Sequence, residues 1–405
     1  MHILLIHQAF TEIDQPGGTR HAEFARHLAS LGHKVTVIAS SISYLTGNID
    51  QKRIPEGNAN EGNSKVNVIH AYTYPALHRS FVHRTISFLS FMVTSFLIGL
   101  RIDNIDLVWG TSPPIFQGLA AWALASYRRI PFLFEVRDLW PAFAIAVGVL
   151  RNPVLIRASE WLERFLYRKA DVLIVNSPGY IDHVQARGAD RVELIPNGTE
   201  VSMFTPLSRG DDFRLKHSLA GKFIALYAGA HGMSNDLGVV LEAAASLQDW
   251  DDIIFILIGD GKEKPALISR AEDMQLKNLK FLPPIPKTEM PEALAAADAC
   301  IAILKPIPLY GTVYPNKVFD YMAAGRPVIL AMEGVIRQVL ETAQAGIPVP
   351  PGDPRSLAEA ITTLVNNPGS GVVMGKMGHE YVKIHFDRPA QAEKLAQVIE
   401  NLTKR

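Results

Sequence analysis

The stretch "TVYPNKVFDYMAAGRPVI", residues 312–329, reads as a short helix that stops at a glycine and feeds directly into an apolar strand. Asn316 follows a proline and has the side chain of a natural N-cap, an acceptor for the free amides of the first turn. Gly325 is the natural stop. Lys317 and Asp320 lie three apart, so they share a face near the positive end of the helix dipole, where a lysine opposes helix stability. An anion bound at that end is the expected compensation.

Working outward, the same helix-to-strand handover recurs along the chain. Runs such as "HILLI", "HKVTVIAS", "VNVIHAY", "DLVWGTS", "PFLFEV" and "DVLIVNS" alternate with helix-like segments to about residue 190. The rhythm restarts at "KFIALYAGA" and continues through "DIIFILIGDG", "LKFLPPI", "ACIAIL" and "RPVILAM". Apolar strands broken by helices imply mainly parallel sheets covered on both faces, so the expected class is α/β with two doubly wound, Rossmann-like domains. A length of 405 residues also exceeds what one core usually supports. The expected boundaries are 1–197, with 386–405 packing back on it, and 198–385, joined near "ELIPNGTE" at 193–200. Ligands of open parallel sheets sit beyond the carboxyl ends of the strands, and two such sheets facing one another make a cleft.

Forty basic and forty acidic residues cancel, which removes any argument for a nucleic-acid partner held by bulk charge. Anion binding must be local. The single cysteine, Cys300, sits in the apolar run "ACIAIL", reads as a core residue and suits a reducing cytoplasm. The opening "MHILLIH" has no basic leader or small-residue cleavage site, so no secretory signal is expected. The polar segment 46–65 reads as a loop. "ISFLSFMVTSFLIGL" at 86–100 is shorter than the roughly 20 residues needed to span a bilayer. It reads either as a buried helix or as a surface helix, the latter favoured by Arg79, Arg84 and Arg101 around an apolar body in which Phe88 and Phe91 would face lipid.

Gly17 and Gly18 follow the first strand and precede an amphipathic helix, where glycine lets backbone amides approach a phosphate or sugar ring. The pattern is not GxGxxG, and no acidic residue about 20 further on completes a dinucleotide fingerprint.

In their order along the chain, "GGTRHAEFARHLASLGHKVTV", "VRDLWP", "ADVLIVNSPGYIDHVQARGADRVELIPNGTE", "IGDGKEKPAL" and "NKVFDYMAAGRPVI" resemble the retaining glycosyltransferases of family 4, which have the GT-B fold. Within that group the chain is most similar to WbuB-type transferases of bacterial surface-polysaccharide biosynthesis. The resemblance implies transfer of a sugar from a nucleotide-sugar, with UDP the expected nucleotide, to a lipid-linked or saccharide acceptor. It also implies a cytoplasmic location, peripheral on the inner membrane face through 78–101.

Breaking the donor's glycosidic bond builds negative charge on a diphosphate, so donors must be aimed at those oxygens. Lys317, the helix beginning at Asn316 and the amides of the "GAHG" loop, Gly229 and Gly232, are expected to supply them, with His231 in the same loop. No HxH, HExxH or carboxylate cluster with ligand spacing occurs, so no metal or other cofactor is expected. Asp320 occupies the position of the family glutamate that holds the ribose. The family's second glutamate is replaced by Thr312, so Thr312 and Val313 are expected to offer backbone amides. Pro284 and Ile285, in "PPIP", are placed against the base, and Gly18 against the donor. On the acceptor side the resemblance implies Gly17, Arg20, Glu135 and Arg137, with Asp138 orienting the attacking hydroxyl. Arg137 stands where many relatives carry histidine. "IPNG", with Asn197 and Gly198, marks the interdomain turn. Two other readings stay open: a nucleotide-sugar epimerase on the same architecture, and a catalytically silent nucleotide-binding assembly protein.

Overall fold

The structure, a computed structural model, describes residues 1–42, 66–75 and 81–404. The expected 46–65 loop and Arg79 lie outside the described residues. The chain divides into two compact units, one of Met1–Glu12, Gly18–Pro196 and Pro389–Arg405, the other of Ile13–Gly17 and Asn197–Arg388.

The first unit is built on a seven-stranded sheet: β1 (His2–Ile6), β2 (Lys34–Ser40), β3 (Val66–Ala71), β4 (Leu107–Ser112), β5 (Phe132–Val136), β6 (Val172–Val175) and β7 (Val192–Leu194). Their order is β3-β2-β1-β4-β5-β6-β7, with every pairing parallel. Every residue of β1, β4, β5 and β6 is buried, as unbroken apolar runs require when helices cover both faces. The chain turns back on itself between β1 and β4, which places a ligand crevice beyond their carboxyl ends.

Among the described residues four longer helices make crossovers, and the six-residue helix Ile181–Ala186 joins β6 to β7. α1 (Arg20–Ser30) leads from β1 to β2, α2 (Phe81–Gly99) from β3 to β4, α3 (Phe116–Arg128) from β4 to β5, and the Pro153–Lys169 helix from β5 toward β6. Right-handed crossovers put α1 on one face of the sheet and the other three on the opposite face. Contacts between α2 and α3, and between α3 and the Pro153–Lys169 helix, agree with that row.

α2 corrects the sequence reading in two ways. It spans 19 residues, more than the quoted apolar stretch, and its Val82–Gly99 portion is long and apolar enough to cross a membrane by length and composition. Only 22% of that portion is buried, so it is a surface helix and not a core one. Phe91 is fully buried together with Ser87 and Ser95, and the outward face is instead Val82, Ile86, Leu89, Val93 and Leu97.

The second unit carries β8 (Phe223–Ala228), β9 (Ile253–Ile258), β10 (Leu279–Leu282), β11 (Ala299–Ile303), β12 (Val328–Ala331) and β13 (Gly346–Pro348). The order is β10-β9-β8-β11-β12-β13, again wholly parallel, with the reversal between β8 and β11. One apolar cluster packs on each side of this sheet. Cys300 is buried on β11 as expected of a free core thiol.

Candidate functional site

In the second unit, polar groups converge where β8 and β9 end. The helix Asn316–Ala323 packs Val318, Phe319, Tyr321 and Met322 into the core, which fixes its rotation about its axis and leaves Lys317 and Asp320 on the other side. Gly325, at φ 68°, ends it as the sequence requires. Asn316 is not the cap: Pro315, in extended conformation, precedes the first turn, and no side chain caps it. The Asn316 amide oxygen accepts from Arg388 at 3.4 Å instead. Arg388 is fully buried and also donates to the Gly198 carbonyl at 2.5 Å, while Asn197 donates to the Tyr314 carbonyl at 2.7 Å. The "IPNG" turn therefore braces the start of this helix.

Lys317 and Asp320 do not pair with each other. The Lys317 ammonium donates to the Tyr227 hydroxyl at 2.7 Å and lies 3.9 Å from the centre of that ring. Among the described residues no carboxylate forms an ion pair with it. Burial alone brings its pKa from 10.5 to about 7. Gly229 makes the approach possible, because a Cβ there would stand 2.7 Å from Nζ and its φ of 150° disfavours any side chain. The sequence expectation that Gly229 offers its amide is corrected, since that N–H donates to the Ile258 carbonyl at 2.9 Å. Its contribution is space.

His231 lies in the same corner and is completely buried, its ring 6.0 Å from both Tyr227 and Phe281. Its backbone is fixed on both sides, by the Asp260 carbonyl and the Glu263 amide. Neither ring nitrogen has a hydrogen-bond partner. Burial, followed by the nearby Lys264 and Lys317 charges, lowers its pKa to about 4, so the imidazole is neutral. Gly232 follows, and a Cβ there would stand in ordinary contact, 3.6 Å, with the Asn235 side-chain amide.

Asp320 has partners that spacing does not reveal. One carboxylate oxygen accepts from the Thr199 hydroxyl at 2.5 Å and from Lys287 at 2.5 Å. Lys287, only 6% exposed, follows the "PPIP" segment and lies 5.4 Å from the Phe204 ring centre. Thr312 ends a 3-10 turn, Pro308–Thr312, and its hydroxyl donates to the Leu309 carbonyl at 2.7 Å. Val313 cannot offer its amide as expected, because that N–H already donates to Tyr310. Pro284 and Ile285 are partly buried just beyond β10.

Gly17, which ends the second unit's Ile13–Gly17 segment, and Gly18, in the first unit, are both exposed ahead of α1 in the chain, and no atom stands within 4 Å of where a Gly18 Cβ would be. Arg20 and Glu135 were expected to meet the acceptor, and this is corrected. Glu135 is fully buried on β5, accepting from Arg20 at 2.9 Å and from His21 at 2.7 Å. Arg20 also donates to the Ile195 and Pro196 carbonyls. Burial opposes the Glu135 charge, but His21 and Arg20 more than offset it and hold its pKa far below the ordinary range. These groups form an internal brace from β5 to the end of β7, with no oxygen facing solvent.

Arg137 and Asp138 follow β5 directly. Arg137 donates to the Pro113 carbonyl at 3.3 Å. Burial raises the Asp138 pKa from 3.8 to about 6, against the pull of Arg137 and of the Leu139 amide. His7, at the end of β1, bonds Thr111 at 2.9 Å and stays neutral because it is buried. The crevice beyond β1, β4 and β5 thus presents a carboxyl poised near neutrality beside a permanent cation.

Comparison with known proteins follows the same division. Residues 17–198 match the family model described as a glycosyl transferase 4-like domain, and residues 222–367 match the one described as glycosyl transferases group 1. The chain is similar to Escherichia coli (strain K12) WcaI, which carries an assignment as a colanic acid biosynthesis glycosyl transferase. The two are 24% identical over 337 residues, spanning 80% of this chain and 82% of the relative. Sucrose-phosphate synthase from Thermosynechococcus elongatus shares the fold at a TM-score of 0.80 and 20% identity, covering 99% of this chain and 98% of that one. HepE of Anabaena, solved with UDP and glucose, does so at 0.75 and 17%, covering 99% and 100%.

Proposed function

Because both halves of the chain match glycosyltransferase domains and fold as the two parallel-sheet units of the GT-B architecture, the chain is a glycosyltransferase, and we propose that it is a retaining, metal-independent one in bacterial surface-polysaccharide biosynthesis. It moves a hexosyl or N-acetylhexosaminyl group from a UDP-sugar to a lipid-linked or saccharide acceptor. The UDP bound to HepE and the colanic acid assignment of WcaI support the donor and the setting.

One observation carries the reading: a half-buried lysine at the mouth of a short helix with no carboxylate partner among the described residues. A pyrophosphate at that mouth supplies the missing counter-charge and raises the depressed pKa, so Lys317 becomes an ammonium as the donor binds. Charge developing on the departing diphosphate is then met by a preorganised cation and the first-turn amides of the Asn316 helix. His231, neutral and with both nitrogens unpartnered, donates one N–H toward the same oxygens. Asp320, held by Thr199 and Lys287, accepts from a ribose hydroxyl.

On the acceptor side Asp138 orients the attacking hydroxyl. In a front-face displacement the departing phosphate takes the acceptor proton, so Asp138 need not be a strong base. The test is nucleoside diphosphate release from a panel of nucleotide sugars, with the product mass measured. UDP release with an acceptor grown by one sugar is expected. Isomerised donor, or nucleotide binding without release, would reject the reading.

A further inference from the structure

The two carboxylate oxygens of Asp320 have different surroundings. Oδ1 accepts from the Thr199 hydroxyl and from the Lys287 ammonium, each at 2.5 Å. Both donors are held in place by what lies behind them. Thr199 is fully buried, its N–H donating to the Phe386 carbonyl and its own carbonyl accepting from the Arg388 N–H. The Lys287 side chain is 6% exposed and lies against the Phe204 ring. Among the described residues Oδ2 accepts no hydrogen bond, and it reaches solvent from a side chain that is 13% exposed.

This asymmetry limits how much of a sugar the carboxylate can hold. An ionised carboxylate has about four acceptor sites, two on each oxygen. Thr199 and Lys287 fill the two on Oδ1 and fix the rotation of the whole group. A vicinal diol presents its hydroxyls side by side, so a carboxylate takes both by offering one oxygen to each. With Oδ1 occupied that geometry is closed, and the diverging lone pairs of Oδ2 suit one hydroxyl at a time.

We infer that Lys287 and Thr199 determine nucleotide specificity: by occupying Oδ1 they leave Asp320 able to grip one hydroxyl of the donor's ribose, so a nucleotide lacking the other is bound as readily as UDP. The class of donor widens from ribonucleoside diphosphate sugars to those with one ribose hydroxyl removed. The inference rests on the proposed function, which puts the pyrophosphate at Lys317 and the ribose at Asp320, one turn along the same helix.

The experiment is calorimetric titration of the full chain with UDP, 2′-deoxy-UDP and 3′-deoxy-UDP. For the wild type, one analogue should bind within about twofold of UDP and the other about tenfold more weakly, for loss of one charge-assisted hydrogen bond. Lys287→Met should make the silent hydroxyl count, because a carboxylate released on that side can turn and offer an oxygen to each hydroxyl. Both analogues should then bind about tenfold more weakly than UDP. In Asp320→Asn the Thr199 and Lys287 donors draw the amide oxygen to themselves, which leaves NH2 where Oδ2 stood, and the three ligands should bind alike.

Melting temperature is read on the same samples. A merely structural part for Lys287 would lower it and leave the analogue pattern as in the wild type, which would overturn the inference. Should a variant fail to fold, the wild type decides alone: weaker binding of both analogues, or of neither, rejects a single-hydroxyl grip. UDP binding with either of those patterns defeats this inference and leaves the proposed function standing, whereas absence of UDP binding by the wild type defeats the proposed function.

Discussion

Lys317 donates to the hydroxyl of Tyr227 at 2.7 Å and lies 3.9 Å from the centre of that ring, turned away from Asp320 three residues on. The Tyr227 hydroxyl donates its own hydrogen bond to the Ala230 carbonyl at 2.7 Å, so toward the lysine it can only accept. A phenol and a ring face stabilise an ammonium less than a carboxylate would, and the site keeps its capacity for an anion.

That arrangement makes donor binding proton-linked. The free protein holds the Lys317 proton only to about pH 7, while a phosphate neighbour retains it at higher pH. Calorimetry of UDP binding at pH 8, in buffers of different ionisation enthalpy, should show uptake of about one proton by the wild type. Lys317→Met should show none.

Stability should carry the same signature. The unfolded chain keeps the Lys317 proton to about pH 10.5 and the folded chain to about 7, so the unfolded state binds more protons between those values and stability rises with pH across that window. The contribution is fully present above the higher value and gone below the lower. Chemical denaturation of Lys317→Met should lack this rise and, at neutral pH, show the variant more stable than the wild type.

For catalysis, Lys317→Ala should lower kcat about a hundredfold, or about 3 kcal/mol of transition-state stabilisation, as for loss of one preorganised donor. Gly229→Ala should act at one remove, since its Cβ would lie 2.7 Å from the Lys317 nitrogen and its φ would be strained. Weaker UDP binding together with a lower melting temperature is the expected pair of results. Undiminished turnover in Lys317→Ala would reject the role given to it.

Lys287→Met tests how Asp320 is held. Removing one partner of a mostly buried pair leaves an uncompensated carboxylate and should cost about 3 kcal/mol by denaturation. Much of that loss should be recovered when Asp320→Asn is added, and the double-mutant cycle reads the coupling directly.

The central strands were legible because each is an unbroken apolar run bounded by helix-like segments. β7 and β13 were not, for three residues are too few to show a period, and neither Val192–Leu194 nor Gly346–Pro348 has a fully buried face. Lys317 and Asp320 were legible as a charged pair on a helix that needs neither for its core. Their real partners, Tyr227, Thr199 and Lys287, lie from 33 to 121 residues away in the chain and are brought close only by sheet order. Asn316 was misread because local cap chemistry was weighed without Arg388, which draws its side chain away. Glu135 and Arg20 were misread because a carboxylate and a guanidinium at strand and helix ends look alike whether they face a ligand or each other.

Asp138→Asn separates orientation from charge. With its pKa near 6, the carboxyl penalises the folded state increasingly as pH rises from 3.8, so the amide should stabilise the protein at pH 7. UDP binding should be unchanged while the acid limb of the pH–rate profile near 6 disappears.

The most direct measurement is a crystal structure with UDP bound. The account predicts a β-phosphate oxygen within about 3 Å of Lys317 Nζ, at charge-assisted hydrogen-bond distance, with the phosphates facing the first turn of the Asn316 helix. Phosphates bound at another place, with Lys317 still on Tyr227 alone, would contradict it.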